Sequence, residues 1–571
     1  MVTDRLQVPV LVLGGGTGAL AAALQCARAG TQVLLVTPGP WLGGMITAGG
    51  VSAPDGNELS AWQTGLWGAL LRELRQQLAD GLDHNWVSCF GFQPAQAEAV
   101  FQRWTQAESR LQWRPQCALQ ELRRRGDRLQ DAVFETPEGL LQVAFELLID
   151  GTELGDGLAM ADLPFRSGWE PREQWDEPSA PTAAQLAADS FFQQQPLQSP
   201  TWVITAQWQG PWEPPQSEQG SSPLVAPFAG CFERFSLERL LSYGRLPGGM
   251  VMLNWPLNGN DWHQDPAACL SADAHRRQAQ VQAMAAHSRA FLDALQQRCD
   301  GRLQPAAAYP GGALALQPYW RESRRLIGHT TVIEQQLLPD HAAAAPADSI
   351  AVGNYANDHH YPGADWPLAP KSQPWGGRWS GTPFTIPFRA LHGPAAANLL
   401  MADKGFSVSH MANGATRLGP LLLLIGQAAG QAAALCQQRR CLPAELPVKE
   451  LQQALISDPQ APSAVRPAVN LAWHDPQWWR QQQALLAGAD PTSIVPSEAP
   501  AEPAEQSCVM HLDCIEPQRW IGITNSGERW PLISLEPALQ QQLPLLAGQS
   551  VQVLGRANPW GPWWRINRVL R

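Results

Sequence analysis

The stretch VPVLVLGGGTGALAAALQCARAGTQVLLVTPGPWLGGM, from Val8 to Met45, constrains this chain more than any other. Residues 8–13 are a short apolar run of the kind a strand buried on both faces needs. Three glycines follow, Gly14, Gly15 and Gly16. Residues 19–29 are rich in Ala and Leu, strong helix formers, and Gly30 supplies the stop. Residues 32–36 read as a second buried strand. Strand, glycine turn, helix and strand in direct succession predict the opening of a dinucleotide-binding unit. Gly14 allows the sharp turn, and Gly16 lets the backbone approach a pyrophosphate. Ala19 holds the third fingerprint position and is still small enough for close helix–strand packing. The helix amino end offers free N–H groups and partial positive charge to phosphates. In a plain βαβ unit the same glycines would only make a turn.

One position departs from that unit. The second strand normally ends in an acid that holds the adenosine ribose. Here it ends in Thr37, followed by Pro38, Gly39 and Pro40. A threonine hydroxyl offers no bidentate contact, and no arginine follows to meet a 2′-phosphate, so NADP is disfavoured. A second glycine-rich loop, WLGGMITAGGVSAP, carries Gly43, Gly44 and Met45. No early third strand follows it, because residues 59–78 read as helix. That order suits a flavin dinucleotide, whose pyrophosphate and ribityl chain such a loop would pass. The bland alternative is a flexible loop.

Composition narrows the class. With 571 residues, 44% of them hydrophobic and 16% charged, the chain has the makings of a soluble enzyme of two or three domains. A net charge of −11 argues against nucleic acid or an anionic membrane as a partner. No apolar run approaches the ~20 residues needed to cross a bilayer. MVTDRLQ runs straight into the first strand and leaves no room for a signal peptide. Ten scattered cysteines without a C-x-x-C pair read as reduced thiols in the cytoplasm; no disulfide framework and no metal site is expected.

GGGTGALAAA followed by WLGGMITAGGVSAPD resembles the FAD-dependent oxidoreductases with a glutathione-reductase-type FAD fold, in particular their large, mostly uncharacterised branch. A second block resembles the same family, which has N-L-L-x-A-x, then S-H-x-A-x-x-A-x-R, then G-Q-A-A-G-x-A-A-A. Here it reads NLLMADKGFSVSHMANGATR and, after an apolar run, GQAAGQAAALC. The family usually has Glu where this chain has Thr37. The resemblance implies that backbone near Ala118 faces the adenine and that backbone at Asp403 sits by the ribityl phosphate. It also implies a helix amino end near Asn413 to Thr416, pointing at the flavin pyrimidine and stabilising negative charge there. The candidate cofactor residues are therefore Gly14, Gly15, Gly16, Thr17, Thr37, Gly43, Gly44, Met45, Ala118, Asp403, Asn413 and Thr416.

Elsewhere the signals are weaker. Residues 95–108 read as helix, and 116–122, 129–136 and 140–149 as a meander turning at Glu138-Gly139. Asp156 caps or orients a loop. Residues 168–227 look irregular. MVMLNWPLNGNDW, residues 250–262, is a strand running into a loop whose Asn254, Asn258 and Asn260 line a pocket or make turns. Residues 272–298 form a long helix. In YWRESRRLIG, residues 319–328, a strand would put Arg321 and Arg325 on one face and Glu322 and Arg324 on the other. Such a cluster holds a substrate anion or tunes a flavin, or it is an Arg–Glu structural network, the reading favoured for at least two of its three arginines. His359 and His360 are adjacent and do not share a strand face, which argues against a joint metal site. One of them near the flavin would serve as general base for an alcohol or amine.

The fold class expected is α/β, a Rossmann-type FAD-binding domain with an inserted β-rich substrate domain and a small C-terminal β domain. The boundaries are 1–165 and 385–440 for the FAD domain, 166–384 for the substrate domain, 441–494 for a helical extension, 495–506 for a Pro/Ala/Glu linker and 507–571 for the β domain. Strands at 385–391 and 398–402 and an apolar helix at 418–435 complete the FAD domain. Trp560, Trp563 and Trp564 near the end dock on the main body or bind a protein partner. The function expected is hydride transfer from a small alcohol, amine or amino acid to FAD, with His359 or His360 as base and Arg321 or Arg325 for a substrate anion. A flavin monooxygenase, or a non-catalytic flavoprotein with a C-terminal interaction module, is the alternative.

Overall fold

Strands without polar residues become the centre of a parallel sheet. In the computed structural model the residues described are 2–215, 224–338, 345–363, 374–375, 378–379, 381–489, 496–502 and 505–570. β1 (Val2–Leu13), α1 (Thr17–Arg28) and β2 (Val33–Val36) form the first unit. β1 runs parallel to β2, pairing Val10 with Val33 and Leu13 with Val36. Two helices follow, α2 (Gly65–Gln77) and α3 (Pro94–Ala107). The helix expected over 59–78 is broken: a 3-10 turn spans Ser60–Trp62, and Gly65, at φ +59°, restarts the chain as α2. β3 (Leu111–Arg114) then runs parallel to β2, so the third strand exists but arrives late.

β4 (Ala118–Arg125), β5 (Arg128–Thr136) and β6 (Gly139–Asp150) form the expected meander, closing at Thr136 opposite Gly139. β6 returns parallel to β1, pairing Leu13 with Asp150. The sheet order is β3-β2-β1-β6-β5-β4.

The segment between the two FAD-type blocks builds a second, smaller core. β7 (Ile204–Trp208), α4 (Leu237–Tyr243), β8 (Met250–Leu253), α5 (Ala274–Arg298) and β9 (Leu303–Pro305) belong to it. The sheet order is β9-β7-β8, and Ile204, Val251, Phe291 and Leu295 fill the space against α5. β7 lies inside the stretch expected to be irregular; its Gln and Trp disguise a strand buried at every residue but Gln207. The 319–328 cluster is not one strand. Arg325–Leu326 pairs with Phe165–Arg166 and Tyr319 bridges to Thr201, so the two-face arrangement expected for it does not form.

The chain returns through β10 (Ser349–Asn354) and β11 (Pro383–Pro387), which pair antiparallel, and β12 (Leu399–Met401), which lies parallel to β6. Then come α6 (His410–Thr416) and α7 (Gly419–Arg439). Asn413 and Thr416 therefore lie in a short helix, and the amino end of the long helix is at Gly419. Pro420 at its second position has no N–H to donate and fixes the start there. α7 packs on α1 through small residues. A Cβ on Gly426 would run into Gly18 O, and one on Gly430 into Ala22 O. By length and composition α7 is the one helix among the described residues apolar enough to cross a membrane, and 94% of that window is buried in this core.

After α8 (Val448–Ile456) and α9 (Trp478–Leu486), five strands close a barrel in the order β13-β14-β15-β17-β16. They are β13 (Gln506–Glu516), β14 (Arg519–Thr524), β15 (Arg529–Ile533), β16 (Ser550–Asn558) and β17 (Trp563–Leu570). Met510, Leu512, Leu532, Val553 and Ile566 are its interior. Within the expected linker, residues 495, 503 and 504 lie outside the described residues.

Candidate functional site

The glycine turn between β1 and α1 is built by close backbone contact. Gly14, at φ +101°, donates its N–H to Val36 O, and a Cβ there would sit 2.6 Å from Thr152 N. Gly16 has no such room either, since a Cβ would lie 2.6 Å from Asp403 Oδ2. Gly15 is different: its Cβ direction is open, with Pro38 at 3.5 Å and Gln317 at 3.9 Å. Gly15 faces a cavity of about 720 Å³ lined by Gly14, Val36, Pro38, Ala118, Phe134 and Thr152, among others. The second glycine loop is clamped onto the first. Thr17 Oγ1 donates to Gly43 O at 2.9 Å, and a Cβ on Gly44 would lie 2.6 Å from Gly16 C.

Asp403, just after β12, reaches the same place. Its Oδ2 accepts the Gly18 N–H at 2.9 Å, and its Oδ1 lies 3.1 Å from the buried Lys404 Nζ, which also meets Glu153. Gly16 caps α1 without a side-chain acceptor. A backbone-lined turn at a helix amino end, with an adjoining cavity, is what a dinucleotide needs. Gly14, Gly15 and Ala118 face the cavity, and Gly16, Thr17, Gly43, Gly44 and Asp403 form its bed. Thr37 does not take part: it is buried, donates to Gly39 O at 2.9 Å and accepts from Trp113 Nε1 at 3.0 Å. Its hydroxyl is taken up by its own loop and by Trp113 of β3.

A second cavity, about 330 Å³, opens where the glycine loop, α7 and the inserted segment meet. Met45, Trp86, Tyr243, Tyr319, Tyr355 and Arg417 are among its walls, with Gly419 at the amino end of α7. Burial holds the Tyr243 and Tyr355 phenols well above their ordinary range, so they are neutral hydroxyls. Arg417 donates to Tyr319 Oη and, at 3.3 Å, to Asp358 Oδ2. Asn413 and Thr416 are buried and do not reach this cavity; Gln198 donates to Asn413 Oδ1 at 3.1 Å.

His360 lines this cavity and an adjoining one of about 320 Å³. Its Nδ1 lies 2.7 Å from Asp261 Oδ2 and its Nε2 2.9 Å from Asp358 Oδ2. With both nitrogens against carboxylates, His360 has no lone pair aimed at a substrate, contrary to the base role expected for it. Burial alone would raise the Asp261 carboxyl, but Arg321 and His360 hold it well below the usual carboxylate range. Asp358 is held low in the same way by His360 and Arg417, while its side chain remains 43% exposed to the cavities. His359 faces only the adjoining cavity, where it meets Tyr361 Oη at 3.2 Å and Met411 O at 3.0 Å.

The arginines separate. Arg321 touches the second cavity but is anchored by Asp261 at 3.1 Å and by Thr201. Arg325 is fully buried on Glu170 at 3.0 Å and reaches none of these cavities. Arg324 pairs with Asp156 at 3.1 Å beside the larger cavity. Glu322 lies 2.8 Å from His410. Of the asparagines, Asn254 lines the second cavity, Asn258 the adjoining one, and Asn260 is used up on Leu253 O and Trp255 N–H.

Sequence reasoning passed over Tyr243, Tyr319, Tyr355, Trp86 and Asp261. One signal was present for the tyrosines: the chain has only five, and three of them wall this cavity. Arg417 closed the quoted S-H-x-A-x-x-A-x-R block without being singled out.

A family model described as FAD dependent oxidoreductase matches residues 9–455. No curated protein matches the sequence. Solved structures with similar folds include the myxobacterial chondrochloren halogenase CndH, an FAD-dependent halogenase, at 9% identity over 78% of each chain with a TM-score of 0.35. BexE is 16% identical over 43% of this chain and 42% of its own, with a TM-score of 0.25. L-proline dehydrogenase from P. horikoshii is 13% identical over 26% of this chain, with a TM-score of 0.17; the match spans only 22% of that enzyme.

Proposed function

The chain belongs to the FAD-dependent oxidoreductase family, and from that premise we propose that it oxidises a small alcohol, amine or amino acid in the cavity between Met45, Tyr319 and Arg417. The observation that carries this reading is the convergence there of four tyrosine and tryptophan side chains, the Arg321 and Arg417 guanidinium groups and the carboxylates of Asp55, Glu58 and Asp358, at the amino end of α7. FAD, when bound, supplies the hydride acceptor. Gly14, Gly15, Gly16, Thr17, Gly43, Gly44 and Asp403 hold its dinucleotide portion, with Ala118 on the adenine side. Met45 and Gly419 lie in the wall of the second cavity, where the flavin end of the cofactor would enter.

Arg417, steadied by Tyr319, meets an acidic group of the substrate. Asp358, one of the carboxylates that face the cavity and kept ionised by His360 and Arg417, accepts a hydrogen bond from the substrate heteroatom and orients it, the proton leaving to bulk water. His360, clamped on its far side by Asp261, fixes where Asp358 points. Trp86, Tyr243 and Tyr355 exclude water around the reacting carbon. A reducing, cytoplasmic setting suits ten free thiols, seven of them buried.

The test is anaerobic mixing of the FAD-loaded protein with alcohols, amines and amino acids while the flavin absorbance is followed. Bleaching by one of these, and none by NADH or NADPH alone, is expected. Rapid bleaching by the nicotinamide alone would overturn the reading in favour of a monooxygenase.

A further inference from the structure

The C-terminal barrel lies beyond the family match, yet it holds the segment that leads into a wall of the second cavity. Trp86 and Val87 line that cavity, and the residues just before them, 81–85, run beneath the barrel. Arg565 of β17 donates to the buried Asp83 carboxylate at 2.7 Å and also meets Glu502 at 2.6 Å. Asn558, at the end of β16, donates from Nδ2 to Asn85 O at 2.8 Å. All three groups, Asp83, Arg565 and Asn558, are shielded from water.

A second connection comes from the turn after β16. Trp560 O accepts from Arg239 Nη1 at 2.9 Å. The Arg239 guanidinium lies over the Trp86 ring at 4.5 Å, and its carbonyl accepts the Trp86 Nε1–H at 2.7 Å. The Trp86 ring then packs edge-on against Tyr243, centroids 5.0 Å apart. Trp560 also covers the Arg245 guanidinium at 3.5 Å. Barrel, α4 and cavity wall thus form one continuous set of contacts.

We propose that the barrel is a positioning module for the oxidation site: Asn558 and Arg565 fix the 83–87 loop, and through Trp86 they set the shape of the substrate cavity. The assignment rests on reading that cavity as the substrate site. With Asp83 and Asn85 engaged by the barrel, the loop holds the Trp86 ring against Tyr243. Neither Asn558 nor Arg565 touches the cavity, so both act through the loop.

The experiment compares Asn558→Ala and Arg565→Gln with the unaltered, FAD-loaded full chain. Amide hydrogen exchange is read over residues 81–88 and over α1. Substrate dependence of anaerobic flavin reduction is read in parallel. Exchange in 81–88 should quicken about tenfold or more while α1 is unchanged, since a lost buried hydrogen bond lowers the local opening free energy. The half-saturating substrate concentration should rise by about the same factor, with the limiting rate and FAD content near those of the parent. Unchanged exchange in 81–88, or unchanged half-saturation in the milder Asn558→Ala variant, overturns the proposal. A parent protein whose flavin no substrate bleaches is a different failure: it removes the oxidation reading, while the exchange data still decide whether the barrel holds the loop.

Discussion

Gly15 and Gly16 are neighbours with opposite tolerances. A methyl on Gly16 meets the Asp403 carboxylate and Gly151 O, whereas one on Gly15 meets only the edge of Pro38 at 3.5 Å and projects into the larger cavity. Gly16→Ala should therefore lower stability by about 1–3 kcal/mol, the usual cost of forcing an extra methyl into a filled site. Gly15→Ala should melt like the parent and lose affinity for FAD. Thermal melts paired with flavin titration separate the two; equal stability loss in both would show that the turn is not the contact surface described. The arginines divide on the same principle. Arg325→Met strands Glu170 in the interior and should cost about 3–5 kcal/mol, with no effect on half-saturation in the material that folds. Arg417→Met leaves Asp358 its His360 contact and an open cavity. It should raise half-saturation by roughly ten- to a hundredfold, the worth of a charged hydrogen bond. The residue types in R-E-S-R-R showed the charges but not their partners, because Asp261, Glu170 and Asp156 come from other segments altogether.

At the scale of elements, strand–turn–helix pieces were legible because their causes are local. Apolar runs made β1, β2 and β12, and the hairpin formed one residue earlier than read, over Pro137 and Glu138, with Gly139 already paired. Where an element's limits depend on a distant partner, the pattern misled. β3 was hidden by half-exposed alternation, and β7 by its glutamine and tryptophan. The α7 start was read to within a residue, 418 against Gly419, while the helix amino end that the family likeness implies near Asn413 falls inside the short α6. α1 and α7 pack backbone to backbone, because Gly426 lies against Gly18 and Gly430 against Ala22. Gly426→Val pushes α7 off Gly18 and should lower stability by at least about 1–3 kcal/mol. Because Gly18 donates to Asp403, FAD affinity should fall with it. A variant that keeps its melting temperature but loses FAD, or the reverse, contradicts the idea that this crossing supports the cofactor bed.

For the whole molecule, what the sequence could not reveal is assembly. Met45, Trp86, Tyr243, Tyr319, Tyr355 and Arg417 form one cavity from six separate segments, and no spacing rule links them. The barrel seam has the same character and carries its own titration. Glu536, beside β15, accepts the Ser60 hydroxyl at 3.0 Å while Leu535 O accepts the Ser60 N–H. Burial pushes the Glu536 carboxyl up to about 7, and Glu177, buried near Glu170 and Glu334, is pushed up to about 7 as well. Between the ordinary glutamate value and that pH the folded protein holds protons that the unfolded chain has released. Stability therefore falls as pH rises through this window, by at most about 1.4 kcal/mol per pH unit for each group. On the acid side Glu502 acts in the opposite sense. Burial would raise it, but Arg565 and Arg75 bring it down to about 2, so its contribution is present above the ordinary value and is lost as pH falls toward 2. Thermal midpoints should accordingly peak near the ordinary glutamate range and decline toward pH 8. Glu536→Gln, which keeps an acceptor for Ser60 and cannot ionise, should flatten the decline and gain on the parent as pH rises. Curves that stay parallel from pH 5 to pH 8 would mean that Glu536 is ionised at the seam throughout.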